Sequence, residues 1–125
     1  MLGATHACAN PLTARYGTAH GAAIAMLLPS VVRWNGPVAG DRYGELLKLS
    51  GVSLNINSQE PAEMLAQRLE QLAAAAGLRG GLSKAGVPVN DLPMLAAEAV
   101  KQWTGSFNPR ALDWEGALEI YEWAS

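Results

Sequence analysis

One cysteine, two histidines and a single phenylalanine are spread over 125 residues, and only 16% of the chain is charged. A lone thiol, Cys8, closes no internal disulfide and builds no cysteine-rich zinc site, which points to a reducing compartment and a cytoplasmic setting. Long apolar runs are lacking as well. The longest, Ala22 to Leu28, is too short to cross a bilayer, and the residues after Met1 have neither the basic start nor the uninterrupted apolar middle of a secretion signal. No membrane is therefore expected as a partner. Nor is there an excess of positive charge. With a net charge of −2 and a pI near 5.6 the chain offers no basic field to a phosphate backbone, which argues against nucleic acid as a partner. Val and Ile are sparse, and no internal repeat or low-complexity tract is present.

What is there is a chain half hydrophobic, of a length that suits one domain, with apolar residues at helical spacing among plentiful Ala, Leu, Glu and Gln. The expected fold is all-α, a bundle of five or six helices with little or no sheet. A short helix is predicted over Gly3 to Asn10, stopped by Pro11, and an irregular connection follows to Thr18. A helix apolar nearly all round runs from Ala19 to Trp34, with Pro29 as a kink. Asn35-Gly36-Pro37 reads as a turn, and Asp41 to Ser50 as a short helix closed by Gly51. Val52 to Asn57 reads as a loop or isolated extended piece. Ser58 is the expected N-cap of an amphipathic helix that runs to Ala76, with Met64, Leu65, Leu69, Leu72 and Ala76 on its apolar face. A Gly-rich connector, Arg79 to Val89, leads to a helix from Leu92 to Trp103 capped by Asn90 or Asp91. Thr104 to Arg110 is irregular, and Asp113 starts the last helix.

The histidines, His6 and His20, both fall near the start. On one straight helix they would lie about 21 Å apart and could never share an ion. A helix ended by Pro11 and a turn at Gly17-Thr18 let the chain fold back, so that two neutral imidazoles meet. The plainer alternative is two polar groups satisfied by hydrogen bonds, and two imidazoles alone make an incomplete metal site.

The stretch from His6 to Asn35 resembles the metal-binding signature of the iron-dependent alcohol dehydrogenases. It has a histidine, the Pro11-Leu12 pair, the aromatic Tyr16, His20-Gly21, an apolar helix reaching Leu28-Pro29, and Arg33-Trp34-Asn35. Tyr43 to Leu49, Ala85 to Pro93 and Asn108-Pro109-Arg110 continue the likeness in order, so it spans essentially the whole chain. The resemblance implies the all-helical C-terminal domain of an enzyme that oxidises an alcohol or reduces an aldehyde or ketone with NAD or NADP. It implies Fe²⁺ or Zn²⁺ as Lewis acid, held by one aspartate and three histidines. Two of those histidines match His6 and His20; the other two ligands and the nucleotide-binding domain belong upstream. Many members carry a second histidine four residues after the first, close to the nicotinamide; this chain has Asn10 there, which the resemblance places beside the substrate and which hydrogen-bonds but does not titrate.

The remaining polar residues have structural readings: Arg110 as a tie to the last loop, Cys8 as a small packing residue, and Glu115, Glu119 and Glu122 as a solvated stripe. The four tryptophans are read as packing. Met1 stands five residues before His6, inside what the family makes a longer helix, which predicts a fragment that is inactive in isolation. The rival readings are a non-catalytic helical interaction module and one half of a split enzyme. Loss of preceding helices predicts a homo-oligomer, with the Gly3 to Asn10 segment and Ile24, Leu27, Leu28 and Val31 in the subunit contact.

Overall fold

The computed structural model describes residues 3–51, 60–78 and 80–125, and every regular element among them is helical. The described residues form five α-helices: α1 (Ala4–Tyr16), α2 (His20–Leu49), α3 (Pro61–Ala75), α4 (Leu92–Ala99) and α5 (Trp114–Ala124). Two short 3-10 turns, Val89–Asp91 and Trp103–Phe107, precede and follow α4.

Helix α1 continues through Pro11 rather than stopping at Asn10. Proline forfeits one backbone hydrogen bond, but Pro11 and Leu12 are buried, and that burial keeps the extra turn. Ala4, Ala7, Cys8, Ala9 and Leu12 have no exposed surface, so α1 is a core helix whose small side chains let α2, α4 and α5 come close. It ends at Gly17, which takes the left-handed conformation (φ 64°) and donates its N–H to the Thr13 carbonyl.

Helix α2 joins two predicted helices into one of 30 residues, about 45 Å long. The turn expected at Asn35-Gly36-Pro37 does not form. Gly36 is a point of contact instead: a Cβ there would come within 2.9 Å of Ala62 Cβ on α3. Asn35 is buried and bonded across the fold, so two of the three residues read as the turn have tertiary partners in the helix.

Helix α3 packs on α2 through Ala62 and Ala66, with Leu65 and Leu69 partly covered against Val32, Leu28 and Tyr43. Leu72 and Ala76 are exposed, so the buried face is rotated from the one predicted. The guanidinium of Arg33 grips both carboxylate oxygens of Glu63 (2.8 and 3.0 Å) and one of Glu70 (2.6 Å), tying α3 to α2. Ser58 and the Val52 to Asn57 segment lie outside the described residues, as does Arg79.

Helix α4 ends at Ala99, short of Trp103, because Lys101 and Gln102 donate to carbonyls three residues back and tighten the last turn. The last helix starts at Asp113 as expected, and Asp113 caps it, its Oδ1 accepting the Gly116 N–H at 2.7 Å. Glu115 and Glu122 are exposed and Glu119 partly so, in keeping with a solvated stripe.

The main core gathers residues of α1, α2, α4 and α5 around Leu12, Leu27, Leu95, Ile120 and Tyr121. Leu27 and Val31 are buried within the chain, Ile24 and Leu28 pack partly covered, and the α1 alanines are sealed. Leu27 and Val31 thus find their cover within the chain, and Ile24 and Leu28 find part of theirs. No described helix is long and apolar enough to cross a membrane.

Candidate metal centre

His6 lies in the first turn of α1 and is half-buried; His20 opens α2 and is exposed. Their rings approach to 5.3 Å between centroids, tilted by 46°. The approach depends on the three residues between the helices. Left-handed Gly17 ends α1, and Ala19 (φ −57°, ψ 133°) is extended as it leads the chain into α2. The expected meeting of the two imidazoles occurs, although α1 reaches Tyr16 before the chain turns.

Two imidazoles brought this close would be able to hold one divalent ion between them through a nitrogen of each ring. Among the described residues no group of three or more His, Cys, Asp or Glu side chains gathers as a metal site.

Cys8, two residues after His6, takes no part. It is sealed in the core, and burial pushes its thiol up to about 12, far from the thiolate a metal requires. The Tyr121 hydroxyl donates to the Cys8 carbonyl at 2.6 Å, joining α5 to the helix that carries His6.

Asn10 stands one turn beyond His6 on the same helix face. Its Nδ2 donates to Gln102 Oε1 at 3.2 Å, just after α4. Nothing in the sequence singled out Gln102, because a contact spanning 92 residues leaves no local trace. Two more clamps join α1 to the α4 region: Arg15 pairs with Glu98, and the Tyr16 hydroxyl donates to Asp91 at 2.5 Å. Burial, with that hydrogen bond adding to it, pushes the Tyr16 phenol up to about 12. Asp91, expected to cap α4, makes no cap bond there and receives Tyr16 instead.

Arg110 is the tie it was read to be. Its Nη1 donates to the Trp34 carbonyl at 2.6 Å, and the guanidinium lies 4.1 Å from the centre of the Trp34 ring. Asn108 Oδ1 accepts the Ala4 N–H at 3.3 Å and so caps the start of the helix bearing His6.

An all-helical body in which two helix starts present paired imidazoles, each helix anchored by long-range polar contacts, is the class of structure these elements define. The chain belongs to the Fe-containing alcohol dehydrogenase family, matching its C-terminal part over residues 1–125. It is 36% identical over 124 residues to lactaldehyde reductase of Escherichia coli (strain K12), covering 98% of this chain and 32% of that protein. It is 30% identical over 124 residues to 1,3-propanediol dehydrogenase of Citrobacter freundii, again 98% of this chain and 32% of the relative. The crystal structure of a 1,3-propanediol oxidoreductase superposes with a TM-score of 0.87 at 28% identity, and an alcohol dehydrogenase from Oenococcus oeni with 0.90 at 27%. Each superposition covers 98% of this chain and 32% of the solved one. The chain therefore spans about a third of the length of these relatives.

Proposed function

We propose that this chain supplies the C-terminal share of an oxidoreductase acting on an alcohol or aldehyde, with His6 and His20 as two of the ligands of a divalent ion, Fe²⁺ or Zn²⁺. The observation that carries this is the 5.3 Å approach of imidazoles from two different helices. When bound, the ion acts as a Lewis acid on the oxygen of the alcohol or carbonyl compound. The chain's own residues do the positioning: α1 and α2 hold the imidazoles, and Asn10 offers a hydrogen-bonding amide beside them. The remaining ligands, and the groups that hold NAD or NADP, belong to the remaining two thirds of a family-length protein, which is the natural partner of this part. A reducing cytoplasmic setting suits the unpaired Cys8.

Calorimetric titration with Zn²⁺ tests the pair. Two imidazoles bind weakly and with one-to-one stoichiometry, and His6→Ala and His20→Ala each abolish the binding. Tight binding that survives His20→Ala overturns the assignment. The chain alone shows no turnover of an alcohol with NAD or NADP, since half the ligands and the cofactor-holding groups lie elsewhere. Metal-dependent turnover by the pure chain contradicts this.

A further inference from the structure

The amide of Asn10 is held in one orientation by a residue from the far end of the chain. Its Nδ2 donates to Gln102 Oε1 at 3.2 Å, between a half-buried side chain on α1 and a half-buried one on the tightened turn that follows α4. A primary amide has two faces of opposite polarity, two N–H donors and a carbonyl acceptor, and which one it shows to a ligand depends on where the other is engaged. Here the donor side is engaged, and the Asn10 Oδ1 makes no hydrogen bond among the described residues. His6, one turn earlier on the same face of α1, places this amide beside the imidazole pair.

We infer that Gln102 is a positioning residue which, by accepting the Asn10 N–H, presents the Asn10 Oδ1 as a fixed hydrogen-bond acceptor next to His6 and His20. The group it suits is a donor, the hydroxyl of a small alcohol, rather than a carbonyl oxygen. This use rests on the function proposed above; the orientation of the amide does not. Three features of the fold support a fixed orientation. The residue before the 3-10 turn, Gln102, is extended (φ −74°, ψ 123°), and its own N–H is bonded to the Ala99 carbonyl, so its backbone is anchored. Arg15–Glu98 and Tyr16–Asp91 hold α1 to the α4 region on the C-terminal side of Asn10. The turn that begins at Trp103 packs on α1. The backbones that carry Asn10 and Gln102 are therefore held within reach of each other at several points.

The test uses the full 125-residue chain, ¹⁵N-labelled, with the Asn10 side-chain amide signals assigned. Gln102→Glu keeps only acceptors, and Gln102→Met keeps the volume and removes them. The expected order is slow proton exchange at Asn10 Nδ2 in the native chain and in Gln102→Glu, and at least about tenfold faster exchange in Gln102→Met, the loss of one hydrogen bond of about 1.4 kcal/mol. A packing role alone gives the reverse, Met tolerated and Glu not, and that result overturns the inference. In the Zn²⁺-loaded chain, 2-propanol shifts the Asn10 amide signals in the native protein and in Gln102→Glu, and acetone, of similar size without an O–H, does not. Equal shifts from both, or none from 2-propanol, overturn the acceptor role. Zn²⁺ binding followed on the imidazole signals of His6 and His20 reads the metal assignment separately, so that its failure is recognised apart from failure of the Asn10 clamp.

Discussion

Asn35 and Asn108, 73 residues apart, exchange two amide hydrogen bonds, 2.7 Å from Asn108 Nδ2 to Asn35 Oδ1 and 3.2 Å in the return direction. Asn108 also accepts the Ala4 N–H and donates to the Arg110 carbonyl at 2.6 Å, so one side chain serves the middle of α2, the start of α1 and the loop before α5. Asn35 is only 4% exposed. Asn108→Ala leaves a buried amide and a helix N–H without partners. The expected loss is about 2–3 kcal/mol, read from urea denaturation. A loss below about 0.5 kcal/mol would mean that water replaces the clasp.

The crossing of α2 and α3 makes a second prediction. Replacing an interior helical glycine by alanine normally gains about 1 kcal/mol. At Gly36 the added Cβ would meet Ala62 Cβ at 2.9 Å, so overpacking reverses the sign and Gly36→Ala costs about 1–2 kcal/mol. Ala62→Gly in the same chain makes the room and recovers much of that loss. A double-mutant cycle with no coupling between the two sites contradicts the contact.

The same region shows what the sequence makes legible. The helix start at Asp113 and the helical spacing of α5 are local signals, and the structure carries both. Gly36-Pro37 is local evidence for a turn, and it misleads because Ala62 and Asn108, far away in sequence, hold α2 straight on. Pro11 misleads in the same way, its lost hydrogen bond offset by burial on α1. For the site, the histidine pair was visible through spacing and resemblance, whereas Gln102 became visible only when α4 was placed against α1.

Alkaline pH is expected to destabilise the fold. Burial raises the Cys8 thiol from 9.0 to about 12, and burial with the Asp91 hydrogen bond raises the Tyr16 phenol from 10.0 to about 12. Both neutral forms are favoured in the folded chain, so their contribution is complete below pH 9 and is lost as pH rises from 9 towards 12. Each proton retained only by the folded state lowers stability by about 1.4 kcal/mol per pH unit in that window. Denaturation midpoints measured at pH 7, 9 and 10.5 should fall only over the last interval, and less steeply for Cys8→Ala. A flat profile to pH 10.5 would show that neither group is shielded.

Helix α3 is fastened chiefly to α2, with two buried alanines and the Arg33 cluster as its grip. Arg33 lowers the Glu63 carboxyl below its ordinary range, so the pair is charged at neutral pH. Arg33→Met keeps the aliphatic stem and removes the charge. Amide hydrogen exchange in α3 should rise about fivefold, the equivalent of about 1 kcal/mol, while α1 and α5 stay protected. A uniform rise across all helices would show instead that α3 opens only with the whole fold.

Gly17 links backbone conformation to the histidine pair. Its φ of 64° is natural only for glycine, and no atom lies within 4 Å of where a Cβ would stand, so Gly17→Ala imposes strain without a clash. Gly77, after α3, has φ 77° and the same open surroundings, but no candidate ligand depends on it. Both alanine variants should lose about 1 kcal/mol of stability, and asparagine at either position should lose less. Their effects on Zn²⁺ binding should differ. If Gly17→Ala relaxes by opening the turn, His20 withdraws from His6 and affinity falls by up to about fivefold, the same 1 kcal/mol expressed as binding, whereas Gly77→Ala leaves affinity unchanged. Equal affinities in the two variants, at equal losses of stability, would mean that the imidazole pair is held by the packing of α1 on α2 rather than by the three-residue turn between them.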